Sequence, residues 1–253
     1  MSEEALLDFA RVLGLAMSQV ATTNLRMIAD GLLQPGDTEL EAATRFAEAA
    51  RDLTPEAAPM LGYVFGLHLR QQLRQDAVSR AALAEGRLTE GREVAVSFAD
   101  LVGFTKLGER IGVEELGAVT GRLGELASEV SSSEVRLVKL IGDAAMLVSP
   151  EPEPLLDAAL ALVAAAEDEG EGFPLLRAGV ATGEAVTRGG DWFGRPVNLA
   201  SRITAVAYPS SVLCTADVRE AAGDGYRWSD AGRRRLKGID GQVRLARVRH
   251  ARD

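Results

Sequence analysis

The chain has 253 residues, 47% hydrophobic and 26% charged, enough to bury a core in one large domain or two small ones. A net charge of -9 argues against broad nucleic-acid binding, which relies on many Lys and Arg contacts to phosphate. No run approaches the roughly twenty apolar residues of a membrane span, Met1-Ser2-Glu3-Glu4 lacks signal-peptide character, and the one cysteine, Cys214, permits no intramolecular disulfide; a soluble cytoplasmic protein with neither membrane nor nucleic acid as partner is expected.

Residues 1 to about 90 contain no strand-like run. Leu6, Phe9, Leu13, Met17 and Val20 form one helical stripe, so this part reads as an all-helical domain. Breaks are expected at Gln34-Pro35-Gly36-Asp37 and at Asp52-Leu53-Thr54-Pro55-Glu56, where Thr54 suits an N-cap and Pro55 the first helical position. A long helix then reaches Glu85, and Gly86 and Gly91 bracket a connector, dividing the chain into domains 1–90 and 91–253. From Val94 the pattern changes to a strand to Ala99, a helix over 113–130, strands over 135–141 and 144–148, and a helix over 155–167. Strands over 175–181 and 184–187 and a helix over 196–206 follow, and Cys214 sits in a further strand as a core residue. The order β-α-β-β-α-β is the ferredoxin-like or palm arrangement, of the α/β (α+β) class.

In that topology the first strand lies beside the hairpin of the second and third. The end of the first strand carries Asp100, in Phe98-Ala99-Asp100-Leu101-Val102-Gly103-Phe104-Thr105, and the hairpin turn carries Asp143, in Gly142-Asp143. Two carboxylates brought together repel unless a cation lies between them, so the pair suggests Mg²⁺ or Mn²⁺. Lys139 shares a strand face, by strict alternation, with apolar Val135, Leu137 and Ile141, where an ammonium is costly without a partner. Pro196 opens a helix on which Asn198 and Arg202, four apart, present an amide and a guanidinium suited to a phosphate. Arg233-Arg234-Arg235-Leu236-Lys237 is the densest basic stretch.

These pieces, in the order 98–105, Lys139-x-x-Gly142-Asp143-x-x-Met146, Asp191-x-x-Gly194-x-x-Val197-Asn198-x-Ala200-x-Arg202 and Leu236-Lys237-Gly238, resemble the class III nucleotidyl cyclases over residues 92 to 250. The resemblance implies an adenylyl cyclase, a lyase that makes 3′,5′-cyclic AMP and pyrophosphate from ATP. It implies that Asp100, Leu101 and Asp143 hold two divalent cations, Mg²⁺ or Mn²⁺. By the same likeness Lys139 and Asp191 would read the purine, Phe104, Thr105 and Lys237 would contact substrate, and Asn198 and Arg202 would carry catalysis at the ribose and reacting phosphate. A homodimer is implied, with metal residues from one protomer and the purine and phosphate contacts from the other. The helical part resembles the regulatory segments of soluble bacterial cyclases, and His68 is its candidate for pH sensitivity, imidazole being the side chain that ordinarily titrates near neutral pH. Two alternatives remain: a catalytically silent cyclase-homology module that binds nucleotide or a partner, and a diguanylate cyclase, although Gly142-Asp143-Ala144-Ala145 lacks that family's extra acidic residue.

Overall fold

A computed structural model describes residues 3–32, 36–83, 91–188 and 190–251. The chain divides into two compact units, Met1–Leu88 and Thr89–Asp253.

The first unit holds two long helices, α1 (Glu3–Leu32) and α2 (Glu39–Leu83). The start of α2 is a capping box: the Thr38 N–H donates to Glu41 Oε2 at 2.9 Å, and the Glu41 N–H returns to Thr38 Oγ1 at 3.4 Å. Arg45 ties this start to the end of α1, pairing with Asp37 and donating to the Leu32 carbonyl at 2.9 Å. The expected start at Thr54-Pro55 is not a boundary, because α2 runs through both Pro55 and Pro59. A proline inside a helix costs about 3 kcal/mol relative to alanine. Here the Ala- and Glu-rich turns on either side are strong helix formers that keep the ladder going, and the true start signal is Thr38-x-x-Glu41. Part of the break at 34–37 and the connector at Glu85 and Gly86 lie outside the described residues. The α1 stripe is present but uncovered: Leu6, Phe9, Leu13, Met17 and Val20 are all exposed, as are Met60, Tyr63 and Phe65 on α2.

The second unit is a mixed sheet with helices on both faces. Its elements in chain order are β1 (Arg92–Leu101), α3 (Phe104–Leu107), α4 (Val113–Glu129), β2 (Arg136–Ile141), β3 (Ala144–Ser149), α5 (Pro152–Asp168), β4 (Leu176–Arg188) and β5 (Asp191–Gly194). They continue with α6 (Arg195–Val206), β6 (Ser211–Thr215), α7 (Ala216–Ala221), β7 (Tyr226–Arg234) and β8 (Val243–His250). The strand order is β2-β3-β1-β4-β6-β8-β7, with β5 paired to β4. Its first half is the expected β-α-β-β-α-β palm. The two strands expected over 175–181 and 184–187 are one, β4, and the Asp191 segment is a strand of its own.

Alternation along β1 builds two cores. Ala95, Ala99 and Leu101 face α4 and α5, packing with Leu123, Leu126, Leu155 and Leu162, whereas Val94, Val96 and Phe98 face α6, packing with Leu199, Ala200 and Ile203. Cys214 is fully buried, and burial pushes its thiol up to about 12. Close approach of α6 to the sheet requires Gly179, where an added Cβ would stand 2.4 Å from the Thr204 backbone nitrogen. Thr204 completes the seam, its hydroxyl reaching the Phe98 carbonyl at 3.1 Å and the Ala200 carbonyl at 2.9 Å.

Candidate active site

Asp100 is the penultimate residue of β1, opposite Ala144 of β3 on one side and Arg177 of β4 on the other. Asp143 lies in the β2–β3 turn behind Gly142, whose φ of 61° belongs to the left-handed region that glycine tolerates best. The Leu101 N–H donates to the Asp143 carbonyl at 3.0 Å and fastens the turn to the end of β1. The fold therefore brings Asp100 and Asp143 to one end of the sheet, as the strand order requires. Asp143 is held above the usual carboxylate range, first by burial and then by the Asp100 charge, against the opposing effects of its own backbone N–H and Arg177.

Arg177 is the residue that the sequence reading missed. Its Nη2 and Nε donate to Asp100 Oδ2 at 2.7 and 3.1 Å, and its Nη1 donates to the Ala205 carbonyl near the end of α6 at 3.2 Å. One guanidinium thus links a candidate metal carboxylate to the helix that carries Asn198 and Arg202. The available signal was an arginine inside the apolar run Leu175-Leu176-Arg177-Ala178-Gly179, at a strand end that the topology sets beside Asp100.

The donor set fits a hard divalent cation. Among the described residues no group of three or more His, Cys, Asp or Glu is placed to hold a metal ion, so protein oxygens at this site would come from two carboxylates and the backbone. That suits Mg²⁺, which is commonly held by one or two carboxylates together with water and substrate phosphate. Leu101 could contribute only through its backbone, since its side chain is buried in the core.

Lys139 reaches the site by a departure from strict alternation. The β2–β3 ladder pairs Leu137 with Leu147 and then Lys139 with Met146, leaving Val138 as the extra residue of a bulge. Leu147 belongs to the core under α4 and α5, and Met146 to the core under α6. Lys139 is therefore turned away from the Leu137 face with which simple alternation had grouped it, and it forms an ion pair with Asp191 of β5. Asp191 also accepts the Trp192 N–H at 2.9 Å. Burial raises its carboxyl, but the Lys139 and Trp192 bonds outweigh that and hold it below the ordinary range.

Asn198 and Arg202 project from the exposed face of α6 and have no hydrogen-bonding partner among the described residues. The helix begins tightly at Gly194, where a Cβ would meet the Glu184 carbonyl oxygen at 2.6 Å. Lys237 is exposed on the β7–β8 turn, which is anchored by buried Leu236 and its carbonyl bond to the Ile239 N–H at 3.1 Å. Phe104 and Thr105 open α3 just beyond Asp100; Phe104 packs on the core and Thr105 is exposed. The predicted residues thus fall into two clusters, Asp100 with Asp143, together with the unpredicted Arg177, and Lys139 with Asp191. Among the described residues no bond joins Asn198, Arg202 or Lys237 to either.

The fold has close counterparts among solved cyclase domains. The crystal structure of the adenylyl cyclase CyaB from P. aeruginosa superposes with a TM-score of 0.57 at 21% identity, covering 64% of this chain and 95% of that one. The guanylate cyclase domain of RhGC from Catenaria anguillulae, in complex with GTP, superposes with a TM-score of 0.56 at 20% identity, covering 63% and 97%. Residues 88–246 match the adenylate and guanylate cyclase catalytic domain, and residues 1–73 match the adenylate cyclase regulatory domain. The chain belongs to the adenylate and guanylate cyclase family. It is 47% identical over 245 residues to the pH-sensitive adenylate cyclase MT1302 of Mycobacterium tuberculosis, covering 94% of this chain and 62% of that protein. It is also 34% identical over 217 residues to an adenylate cyclase of Streptomyces coelicolor, covering 84% and 55%. The chain thus spans under two thirds of the length of these relatives. No described helix is long and apolar enough to cross a membrane.

Proposed function

We propose that the protein is a homodimeric adenylyl cyclase that converts ATP to 3′,5′-cyclic AMP and pyrophosphate. The observation that carries this reading is the Lys139–Asp191 pair, because the family contains both adenylate and guanylate cyclases and these residues choose between them. A Lys donor and an Asp acceptor match adenine, whose N1 accepts and whose 6-amino group donates; guanine presents the reverse at N1 and O6. The adenylate cyclases among the relatives support the same choice.

In the proposed reaction the ribose 3′-oxygen bonds to the α-phosphorus, the bond from that phosphorus to the β-phosphate bridging oxygen breaks, and the 3′-hydroxyl proton passes to water as pyrophosphate leaves. Asp100 and Asp143, with the Leu101 backbone, would hold two divalent cations. When bound, these supply a lowered pKa at the 3′-hydroxyl and charge neutralisation on the triphosphate. Lys139 and Asp191 fix the purine, Asn198 orients the ribose, and Arg202 offers its guanidinium to charge that develops on the transferred phosphoryl group. Phe104, Thr105 and Lys237 complete the substrate contacts, Lys237 at the triphosphate. Arg177 keeps Asp100 from facing Asp143 uncompensated in the free protein.

The two-fold arrangement is supported by the exposed, unpartnered state of Asn198 and Arg202, which leaves them available to a second copy's metal carboxylates. Residues 1–90 would act as the regulatory and dimerisation region, setting how two catalytic units meet through a bistable interface. The catalytically silent alternative has no observation in its favour. Purified protein with Mn²⁺ and either ATP or GTP should yield cyclic AMP and pyrophosphate from ATP with at least a tenfold preference over GTP. Absence of product from both nucleotides, with wild type indistinguishable from Asp100→Ala, would overturn the enzymatic reading.

A further inference from the structure

The last two strands and their turn, residues 226–250, carry eight Arg and Lys against Asp230 and Asp240, a net +6 within a chain of net charge -9. Strand register arranges part of this charge into a line. Asp100 pairs with Arg177, and Arg177 with Ser211. The β6–β8 pairing of Val212 with Val248, continued by one residue, sets Ser211 opposite Arg249, which pairs with Arg227. Residues in register share a face, so a row runs from the candidate metal carboxylate across β4, β6, β8 and β7, on the side of the sheet that α6 covers. At the usual strand spacing, Arg249 lies about 14 Å from Asp100 along this row.

Arg227 and Arg249 face one another across the β7–β8 ladder, and like charges directly opposite destabilise a strand pair. Arg247, two residues before Arg249 and on the same face, is half-buried. Its Nε is buried and has no acceptor among the described residues, and its Nη2 reaches only the Ser210 carbonyl, at 3.3 Å. Arg249 is exposed and forms no ion pair or hydrogen bond among the described residues. Burial and then the Arg249 charge lower the pKa of Arg247, the opposite of the effect of a carboxylate neighbour. A guanidinium nitrogen buried without an acceptor costs free energy unless an anion accepts from it. Two forked guanidiniums side by side suit the bridged oxygens of a diphosphate better than a single carboxylate.

We propose that Arg247 and Arg249 form a second phosphate-binding subsite, at the end of an arginine row that begins beside Asp100, and that its occupant is pyrophosphate released from the metal site. The choice of pyrophosphate rests on the cyclase reading; the existence of a phosphate site does not. Pyrophosphate captured at Arg247 and Arg249 after its release would leave the metal carboxylates free for the next ATP, and pyrophosphate supplied from solution would bind the same subsite.

The test is calorimetric titration of the full chain with sodium pyrophosphate in metal-free buffer at fixed low ionic strength, where neither cations nor turnover contribute. Wild type should bind, Arg247→Gln/Arg249→Gln should bind at least tenfold more weakly, and Arg110→Gln, an exposed arginine far along the sequence, should match wild type. Arg249→Gln alone alters only an exposed side chain and should still weaken binding severalfold, which keeps the test readable if the double variant folds poorly. A parallel titration with ATP separates the sources: loss for pyrophosphate alone marks a product subsite, and equal loss for both marks a general phosphate subsite. No binding by wild type, or equal binding by wild type and the double variant, overturns the proposal. The cyclase reading is judged separately, since cyclic AMP formation with unaltered pyrophosphate binding removes the subsite and leaves the enzyme.

Discussion

The two units of this chain use the same hydrophobic currency in opposite ways. In the α/β unit the large aliphatic side chains are enclosed, Leu155, Leu156 and Leu162 each at 0% exposure, because two helix layers cover both faces of one sheet. In the helical unit the apolar stripe is equally periodic and yet open, with Phe9 at 51% and Tyr63 at 66% exposure. Periodicity therefore fixes which face is apolar, not whether the same unit covers it. A sheet with crossover helices encloses its own core; a pair of long helices presents an apolar face that another surface must cover.

The sharpest way to test that contrast is at the site, where the α/β unit sacrifices stability. On the proposed role of Asp143 as a cation ligand, Asp143→Asn should lower turnover by about 4 kcal/mol in transition-state stabilisation, roughly a thousandfold. The same variant should raise the Tm of the metal-free protein near neutral pH. The folded pKa of Asp143 lies above its ordinary value, so its stabilising contribution is present at low pH and is lost as pH rises through the folded pKa. Wild-type and variant Tm values should converge in acid and separate toward neutrality; a lower Tm for the variant at neutral pH would contradict this account.

Core and stripe can be compared directly by denaturant unfolding. Leu156→Ala should cost 2–5 kcal/mol, on the order of other buried Leu truncations. Leu13→Ala, on the open stripe, should cost under about 0.5 kcal/mol in a monomeric sample. Equal costs would show that the stripe is as enclosed as the core. Thr38→Ala removes the oxygen that caps α2 and should lower the stability of the helical unit by about 1 kcal/mol, read as loss of helical circular dichroism at elevated temperature. The smallest effect is expected at His68, exposed on α2. His68→Ala should leave the pH profile of cyclic AMP formation unchanged if exposure means idleness, and a shifted profile would assign the imidazole a sensing role.

The palm was legible because each of its elements has a clear period: short β-branched runs before Asp100 and Asp143, amphipathic helices between them, and a strand order that makes the two aspartates neighbours. Lys139 was legible as an anomaly but was assigned to the wrong face, since one extra residue at Val138 inverts alternation and nothing local in the sequence announces a bulge. Arg177 was missed because its meaning depends on register across β1 and β4, a long-range pairing. The long strand β4 was divided between Ala181 and Glu184, whereas Thr182 and Gly183 continue the ladder by pairing with Ala95 and Val94. The proline error in α2 has the same form: Thr54-Pro55 satisfies the local rule for a helix start, and only the capping box at Thr38 shows where the helix begins.

The central claim is that metal carboxylates and phosphate-side groups meet across two copies of this chain. Mixing two inactive variants tests it directly, with Asp100→Ala removing the metal half and Arg202→Ala removing the phosphate half. Each alone should be nearly silent, and an equimolar mixture, after exchange of subunits, should recover about a quarter of wild-type cyclic AMP formation, because half the dimers are mixed and each has one intact site. A mixture as inactive as its components, with mixed dimers demonstrated by differently tagged chains, would contradict a composite site.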